Sequence, residues 1–582
     1  MKFSSLVDVY DALSQTNSRL EKTAILATFL QKIPLDHVDE CILLLQGMVY
    51  PEWEAKTLGL AAKLVLKALA QSTGHSESEV LALFKQKGDL GEVAQALHST
   101  KKQQTLFSTS LTVQSVFSSL RHLASQEGIG SQDQKLAELS GLLTSATSLE
   151  AKFLVRIVLE DLRVGVAQGT IRDALAYAYF TQDFSYIKEE HIINYTIKYP
   201  YATIGEAKEA LREALDLTVD VAQVVKHVKQ GKPLSAIRLK IGTPCRCMLA
   251  RKEKTFEAAF ARTGLPVRLE YKYDGFRMQI HKKDSRIWLF TRRLEDVTAQ
   301  FPDVVAVVKE RLQGDCIVDA EIVGYDPKTS KYQPFQHISK RIKRKYDIGV
   351  LAKELPVEIL VFDILLIDSK VVFDKSLSQR LDLLRSIVVQ KPLQLILAKG
   401  DQISTESEAR AFYQKSLAAG NEGIMIKNLN APYQPGGRVS AWIKMKPTMQ
   451  ELDLVIVGAQ WGNGKRSKWL TSFTLACRTD SGDFVEVGKV GTGMKEKSDD
   501  PDMVTFAQLT SLLEPLIVDK ISKEVVVKPE VVVEIAYEEI QKSPTYGSGY
   551  ALRFPRVIRL RPDRALDDIA YVEDIEELYY AQ

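Results

Sequence analysis

A lysine near the middle of the chain lies in a run of alternating apolar and charged residues. Val267, Leu269, Tyr271 and Tyr273 alternate with Arg268, Glu270, Lys272 and Asp274. This period of two predicts a half-buried strand with its charged side chains on one face, and Asp274-Gly275 predicts a turn at its end. Charged neighbours can shift the pKa of a lysine from about 10.4, which makes Lys272 a candidate covalent nucleophile. The alternative is a surface strand with a hairpin turn.

Four further segments carry acids and bases at strand spacing. They are Thr291-Arg-Arg-Leu-Glu-Asp-Val-Thr298, Val318-Asp-Ala-Glu-Ile322, Glu422-Gly-Ile-Met-Ile-Lys427 and Trp442-Ile-Lys-Met-Lys446. Asp319 and Glu321 share a strand face, and carboxylates of this kind hold Mg²⁺ together with substrate phosphates. The cations would hold a polyphosphate and stabilise charge that develops in nucleotidyl transfer. Each segment alone could be a structural ion-pair strand, but together they predict a nucleotide bonded to Lys272 through its α-phosphate.

Three regions are expected to position these residues. A chain of 582 residues with 45% apolar and 26% charged residues is typical of a globular protein with several domains. Residues 1–225 have apolar residues at helical spacing and predict an all-α domain. Residues 226–448 alternate short strands with helices, which predicts an α/β domain built on antiparallel sheets. Residues 449–582 predict a small β-barrel of the oligonucleotide-binding (OB) type, with strands at 453–459, 472–478, 484–490, 530–537 and 556–561.

The positive charge is concentrated in two places. Nine Lys or Arg residues and one acid, Glu253, lie between Lys226 and Lys254, and Lys340–Lys345 has five cations in six positions. Such clusters attract phosphate backbones, although a solvated linker and loop would look the same. Five scattered cysteines favour a reducing cytoplasm, and Cys245-Arg-Cys247 is a poor zinc site. No apolar segment predicts a signal peptide or a membrane span.

The order of these motifs resembles that of the lysine-adenylating nucleotidyltransferases. The series is Lys272-Tyr-Asp-Gly, Thr291-Arg-Arg, Asp319-Ala-Glu, Val361-Phe-Asp, Glu422-Gly-Ile-Met-Ile-Lys and Trp442-Ile-Lys-Met-Lys. Asp161–Thr170 resembles a signature of the helical DNA-binding domain of ATP-dependent DNA ligases, and Leu552–Arg561 resembles the closing motif of their barrel domain. The whole chain is therefore similar to the archaeal and eukaryotic replicative type of that family.

The resemblance implies that Lys272 attacks the α-phosphate of ATP to form lysyl-AMP. The AMP would pass to the 5′-phosphate of a nick in duplex DNA, and the 3′-hydroxyl would then displace it, in replication, repair and recombination. For the nucleotide, the resemblance implies that Glu270 contacts the adenine, Phe362 stacks on the purine, and Arg277 and Arg292 contact the ribose and phosphates. Glu321 would hold the ribose or Mg²⁺, and Glu422 would hold Mg²⁺. Arg438 and Lys444 would contact phosphate with Lys427 and Lys446 close by, Arg344 would lie near the nick, and Asp274 belongs to the nucleophile motif.

The chain departs from the family pattern in two places. The closing segment reads Arg561-Pro-Asp563-Arg564, with arginine where the family usually has lysine; arginine keeps the charge but changes the geometry of the pyrophosphate-orienting role that the resemblance implies. Cys247 stands where family members often have proline. The resemblance also implies that Gln103–Phe107, with Gln103 and Phe107 as its contacts, binds a sliding clamp. We further expect a monomer, located in the cytoplasm near the nucleoid and without a membrane partner.

Several other functions use similar residues. An mRNA-capping guanylyltransferase or an RNA ligase shares the lysine chemistry, but neither usually has a helical domain of this size before the nucleophile. An NAD-dependent DNA ligase would need a four-cysteine zinc site. A non-catalytic DNA-binding scaffold would explain the basic clusters but would leave the carboxylate strands without a purpose.

Overall fold

The computed structural model separates into two compact units, Met1–Met445 and Lys446–Gln582. It describes the chain except residues 55, 101–109, 127, 129, 343, 345, 448–450, 463–465, 497, 499–502, 522 and 582, and the side chain of residue 581. The predicted clamp segment Gln103–Phe107 therefore lies outside the described residues. The predicted division into three domains, with boundaries after residues 225 and 448, stays a prediction. None of the described helices is long and apolar enough to cross a membrane.

The N-terminal region is helical, as predicted. Polar caps set the helix starts: Thr147 and Glu150 form a reciprocal capping box at α9 (Ser148–Val158), which is buried from Glu150 to its end. The helices of this region are α1 (Phe3–Gln15), α2 (Arg19–Lys32), α3 (Val38–Leu45), α4 (Ala62–Thr73), α5 (Glu77–Lys87), α6 (Leu90–Ser99), α7 (Val113–Ser125), α8 (Ser131–Ser145), α9, α10 (Gln168–Phe180), α11 (Ile204–Thr218) and α12 (Val221–Lys229).

One β-hairpin in this region was not predicted. Strands β1 (Thr181–Ile187) and β2 (Ile192–Ile197) pair antiparallel after α10. Both strands are largely exposed, so they lack the buried period-two pattern that identifies a strand in sequence. Among the described residues up to position 225, the helical assignment is correct except for this hairpin.

Two sheets build the central region. Strands β10-β9-β7-β5-β6 form the path of a seven-stranded sheet, and β12-β4-β13-β14-β3 form a five-stranded sheet. The predicted antiparallel pairing is confirmed with two parallel exceptions, β11 with β9 and β14 with β3. The strands are β3 (Leu249–Lys252), β4 (Val267–Lys272), β5 (Phe276–Lys283), β6 (Arg286–Thr291), β7 (Cys316–Tyr325), β8 (Tyr332–Gln333), β9 (Val357–Ile367), β10 (Lys370–Val371), β11 (Leu395–Leu397), β12 (Gly400–Ile403), β13 (Gly423–Asn428) and β14 (Arg438–Met445).

Helices cover the outer faces of both sheets. The five-stranded sheet packs Leu269, Ile424 and Ile426 against α13 and α18, and the seven-stranded sheet has a separate core around Val318 and Ala320. The opposite faces carry the charged residues, and a third apolar cluster joins Ile317 of one sheet to Trp442 of the other. The helices are α13 (Phe256–Thr263), α14 (Pro302–Arg311), α15 (Phe335–Ile342), α16 (Ile348–Glu354), α17 (Leu377–Ile387) and α18 (Glu406–Ala418).

The second unit contains all five strands predicted for it. Strand β15 pairs with β16, β19 and β20, and β20 also pairs with β23. The prediction missed two short hairpins, β18–β19 and β21–β22, and two helices. The bounds are β15 (Leu452–Trp461), β16 (Leu470–Arg478), β17 (Phe484–Val490), α19 (Phe506–Leu513), β18 (Ile517–Ile521), β19 (Glu524–Val527), β20 (Val532–Ala536), β21 (Glu539–Lys542), β22 (Tyr550–Arg553), β23 (Arg556–Leu560) and α20 (Val572–Ala581).

Candidate active site

Lys272 and Glu422 meet where two antiparallel strands end side by side. Lys272 is the last residue of β4 and lies opposite Gly423, the first residue of β13. The Glu422 N–H donates to the Lys272 carbonyl at 2.9 Å, and the Lys272 Nζ donates to the Glu422 Oε2. Their side chains are 21% and 23% exposed. The candidate nucleophile is therefore held beside a carboxylate and remains accessible to a ligand.

Glu321 is a third charged group of this cluster. It lies on β7 opposite Arg277 of β5. Burial raises the pKa of Glu321 to about 7; the nearby Lys272 and Arg277 oppose this rise, and the negative charges of Glu422 and Asp274 add to it. Folding therefore holds several carboxylates close together at a cost in solvation and mutual repulsion. Such a group is typical of a functional site.

The turn after β4 is shaped by a close backbone approach. A Cβ atom at Gly275 would lie 2.4 Å from the Ile322 carbonyl oxygen and 3.1 Å from the Glu321 Cγ. Only glycine leaves room there for β7 to approach the turn. The neighbouring Asp274 accepts a hydrogen bond from the Phe335 N–H at 3.2 Å, which fixes the other side of the turn.

Glu270 is buried between two cations on the same sheet face. Its carboxylate accepts a hydrogen bond from the Arg268 Nε at 2.9 Å and forms an ion pair with the Lys427 Nζ at 2.5 Å. Glycine at position 400 makes this possible, because a Cβ there would lie 2.8 Å from the Glu270 Cγ. The predicted adenine contact is thus a fixed acid, only 2% exposed.

Phe362 and Trp442 form an aromatic pair around the Lys427 ammonium. Their ring centroids are 6.1 Å apart, and the Lys427 Nζ lies 4.5 Å from the Phe362 centroid and 4.4 Å from that of Trp442. Phe362 is half-buried, so part of its ring is open to a ligand. This arrangement is compatible with the predicted stacking of a purine on Phe362.

Arg277 is part of a buried polar cluster that the sequence did not predict. Its guanidinium donates to the Asp319 carboxylate at 2.5 Å, to the Tyr433 hydroxyl at 2.8 Å and to the Met248 carbonyl at 2.6 Å. Tyr433 also donates to Asp319 at 2.7 Å, and burial with the Asp319 charge raises the Tyr433 pKa well above its usual value. The predicted phosphate contact of Arg277 stays a prediction, since its hydrogen bonds here are internal.

The other predicted cations differ in their surroundings. Arg292 follows β6 and Arg438 begins β14, and both are exposed. Lys444 lies on the same face of β14 as Trp442, as the alternation predicted. Arg344 contacts its own loop, with the Tyr346 carbonyl at 3.3 Å and the Asp347 carboxylate at 3.6 Å. The first residue of the second unit, Lys446, lies 3.9 Å from the Glu538 carboxylate.

The closing segment of the second unit forms an ion-pair network. Arg561 is buried and donates to Asp453 at 2.8 Å and to Asp563 at 2.9 Å. Arg564 contacts the same Asp453 at 3.0 Å. The Arg561 hydrogen bond lowers the pKa of Asp563 to about 2. In this structure Arg561 is bound to Asp563, and both Arg561 and Arg564 are bound to Asp453 of β15.

The carboxylates fit one mode of metal binding. Among the described residues, no group of three or more His, Cys, Asp or Glu side chains is placed to hold a metal ion. Mg²⁺ is usually held by only one or two carboxylates together with waters and substrate phosphates. Glu321 and Glu422, which lie within electrostatic range of each other, provide such a pair.

Comparisons with known proteins cover the whole chain. Family models match in three consecutive parts: "DNA ligase N terminus" over residues 2–176, "ATP dependent DNA ligase domain" over 247–446 and "ATP dependent DNA ligase C terminal region" over 466–564. A DNA ligase of Nanoarchaeum equitans is 44% identical, with 100% of this chain and 99% of that protein covered. One of Archaeoglobus fulgidus is 38% identical over the same shares.

A solved structure has the same overall fold. The structure titled "Pmar-Lig_PreS3" matches with a TM-score of 0.54 and 17% sequence identity, and the match covers 96% of this chain and 99% of that one. At that identity the likeness supports the fold alone, whereas the family models and the archaeal relatives support the chemistry. The chain belongs to the ATP-dependent DNA ligases, the enzymes that use ATP to form phosphodiester bonds in DNA.

Proposed function

We propose that Lys272 is the residue that carries AMP in this ligase and that the substrate is a nick in duplex DNA. The observation that carries the proposal is the Lys272 Nζ at the end of β4, which is accessible, hydrogen-bonded to Glu422 and within electrostatic range of Glu321. A lysine with only a structural role would need one acid as its partner, and would not need two carboxylates that repel each other.

The reaction exchanges one phosphorus bond for another in three steps. The Lys272 Nζ attacks the α-phosphorus of ATP, an N–P bond forms, and the bond to the β-phosphate oxygen breaks to release pyrophosphate. The 5′-phosphate of the nick then takes the AMP from Lys272. Finally the 3′-hydroxyl attacks the 5′-phosphorus and AMP leaves. Positioning and charge stabilisation are the protein's main contributions to such steps.

The chain's own residues divide these tasks. Phe362 offers a half-open ring for the adenine, and the fixed Glu270 carboxylate lies on the same sheet face as Lys272. The exposed Arg292 and Arg438, with Lys444 on β14, would contact phosphates. Glu321 and Glu422 would hold Mg²⁺, which when bound supplies positive charge to the phosphates. These assignments rest on the placement of the residues and on the family resemblance.

The partners follow from the same assignment. Nicked duplex DNA would be the substrate of a monomeric enzyme in the cytoplasm near the nucleoid, and Gln103–Phe107 would bind a sliding clamp. Size-exclusion chromatography with light scattering would test the monomer. For the clamp, Phe107→Ala should abolish stimulation of ligation by the clamp, and undiminished stimulation would exclude this segment.

Covalent labelling tests the central proposal. Incubation with ATP labelled at the α-phosphate and Mg²⁺ should label the wild type, whereas labelled GTP and NAD should not. Lys272→Ala should lose the label, because the substitution removes the amine that would form the bond to phosphorus. Lys283→Ala, an exposed lysine on β5, is the matched control and should label normally. Labelling that survives in Lys272→Ala, or that occurs with GTP alone, would contradict the proposal.

A further inference from the structure

A cavity of about 310 Å³ lies between the helical region and the central sheets. Four arginines line it: Arg172 of α10, Arg212 of α11, Arg246 before β3 and Arg292 after β6. The described lining residues include one carboxylate, Asp216. The volume is at the small end of the range for ligand sites, about 300–1,000 Å³. A small anion is therefore a better fit than a large apolar ligand.

The four guanidinium groups are only partly neutralised by their neighbours. Asp216 accepts from Arg212 at 2.8 Å and lies 3.3 Å from the Arg246 Nε, so this carboxylate is shared between two cations. Arg212 also donates to the Glu209 carboxylate, at 2.6 and 3.0 Å. Arg172 pairs with Asp173, which Arg19 also contacts. Arg292 makes no hydrogen bond or ion pair within the described part of the chain. The cavity thus has excess positive charge.

The first turn of α10 adds backbone donors to the same cavity. Gln168 and Gly169, the first two residues of this 13-residue helix, line the cavity. The N-cap residue is Ala167, which has no side-chain hydrogen bond to the first turn. The N–H groups at a helix start favour a negatively charged ligand. Guanidinium groups and helix N–H groups together suit phosphate oxygens.

The cavity adjoins the Lys272 cluster through Cys247. This residue lines the cavity and burial raises its pKa to about 11. The charges that act on its thiol include Arg277, Asp319 and Glu321, so the two sites lie within electrostatic range of each other.

We infer that this cavity is a second phosphate-binding site, shared by the helical region and the central sheets. Two sources of phosphate fit the chemistry: free pyrophosphate, the product of the first step, and the phosphates of a DNA strand. The inference relies on the proposed function only to explain why these anions are present. The binding itself depends on the arginines and does not require Lys272 to be the nucleophile.

Calorimetric titration of the full-length protein tests the site. Pyrophosphate is titrated into the protein without ATP, so the result is independent of adenylation. The double variant Arg172→Gln, Arg246→Gln should bind it roughly tenfold or more weakly, because each arginine supplies a charge-assisted hydrogen bond. Neither substitution removes the last partner of an acid, since Arg19 still contacts Asp173 and Arg212 still contacts Asp216. Circular dichroism and thermal unfolding check that the variant is folded.

A matched control and a second probe distinguish the two sources. Arg410→Gln removes an exposed arginine of α18 paired with Glu406 and should not change pyrophosphate binding. Nicked duplex DNA is then titrated in parallel. Weaker binding of pyrophosphate in the double variant supports the free anion, and weaker binding of DNA alone supports a backbone phosphate. If both affinities are within twofold of the wild type, the inference is wrong.

Discussion

The carboxylates around Lys272 and those around Arg561 have opposite electrostatic surroundings. Glu321 lies near two other acids, and burial raises its pKa to about 7. Asp563 accepts hydrogen bonds from Arg561, and its pKa falls to about 2. Both groups lie in segments that resemble ligase motifs, yet Glu321 is buried away from solvent, whereas Asp563 is largely exposed and paired with an arginine. In the first, folding opposes ionisation of the acid; in the second, folding favours it.

This difference in electrostatic surroundings distinguishes residues that could bind a ligand from residues that stabilise the fold. A cluster with unfavourable charge can be stabilised by a bound cation or substrate, which makes it a good candidate for catalysis. Arg561 is buried and paired with Asp453 and Asp563, so we expect it to stabilise the fold, and a role of Arg561 toward pyrophosphate would require it to exchange partners.

The largest effect should follow from Glu321→Gln. The amide keeps the shape but cannot hold a cation, so the rate of enzyme–AMP formation should fall by about 10²- to 10³-fold. The melting temperature should stay level or rise, because burial no longer penalises an ionised group at this position. Single-turnover labelling and thermal unfolding measure the two quantities. Glu310→Gln, at an exposed acid of α14, is the control. An equal loss of rate in this control would show that the effect is not specific to the carboxylates around Lys272.

Asp453→Asn should show the opposite pattern in the second unit. Asp453 is shared by Arg561 and Arg564, and its loss leaves the buried Arg561 with weaker partners. We expect the free energy of unfolding to fall by about 1–3 kcal/mol, measured by denaturant titration. Asp519→Asn, on the exposed strand β18, should change it little. A stability equal to that of the wild type would show that the network is not structural.

The pH dependence of the adenylation rate should show the titration of the Glu321 carboxyl group. If its ionised form is required, lowering the pH from 8 to 6 should reduce the rate by roughly tenfold, since its pKa is about 7. Its pKa is raised by folding from 4.5, so protonation favours the folded state and this loss of rate is not caused by unfolding. The acidic limb should be absent in Glu321→Gln. A limb that persists there would assign the titration to another group.

Asp563→Asn should have the smallest effect. The folded-state pKa of Asp563, about 2, lies below its ordinary value of 3.8. The ionised acid therefore stabilises the fold above about pH 4, and this contribution is lost as the pH falls through 2. At pH 7 the variant should melt slightly below the wild type and by less than Asp453→Asn, because Asp563 is 64% exposed. A larger loss than for Asp453→Asn would reverse the order of importance within the network.

The sequence predicted the parts of the site that follow from strand periodicity. Alternation placed Lys272 and Glu270 on one face, and Asp319 and Glu321 on another, and both placements are confirmed. The family resemblance brought the separate strands together, which alternation alone cannot do because it carries no information on pairing partners.

Other features left no periodic signal. Tyr433 lies in an irregular segment between β13 and β14, so its hydrogen bonds to Arg277 and Asp319 could not be expected from spacing. The buried pair Asp363–Arg380 likewise joins a strand to a helix. The arginine cavity draws its four arginines from two helices and two connecting segments, and only tertiary structure assembles them.

The backbone hydrogen bond between Glu422 and Lys272 limits where the chain can accept insertions and deletions. The two residues are 150 positions apart, and connecting loops between strands tolerate insertions well. The strands themselves have no such freedom, because adding or deleting one residue within β13 would turn its side chains to the opposite face of the sheet. Variation in chain length should therefore accumulate in the loops between Lys272 and Glu422, while β4 and β13 keep their lengths.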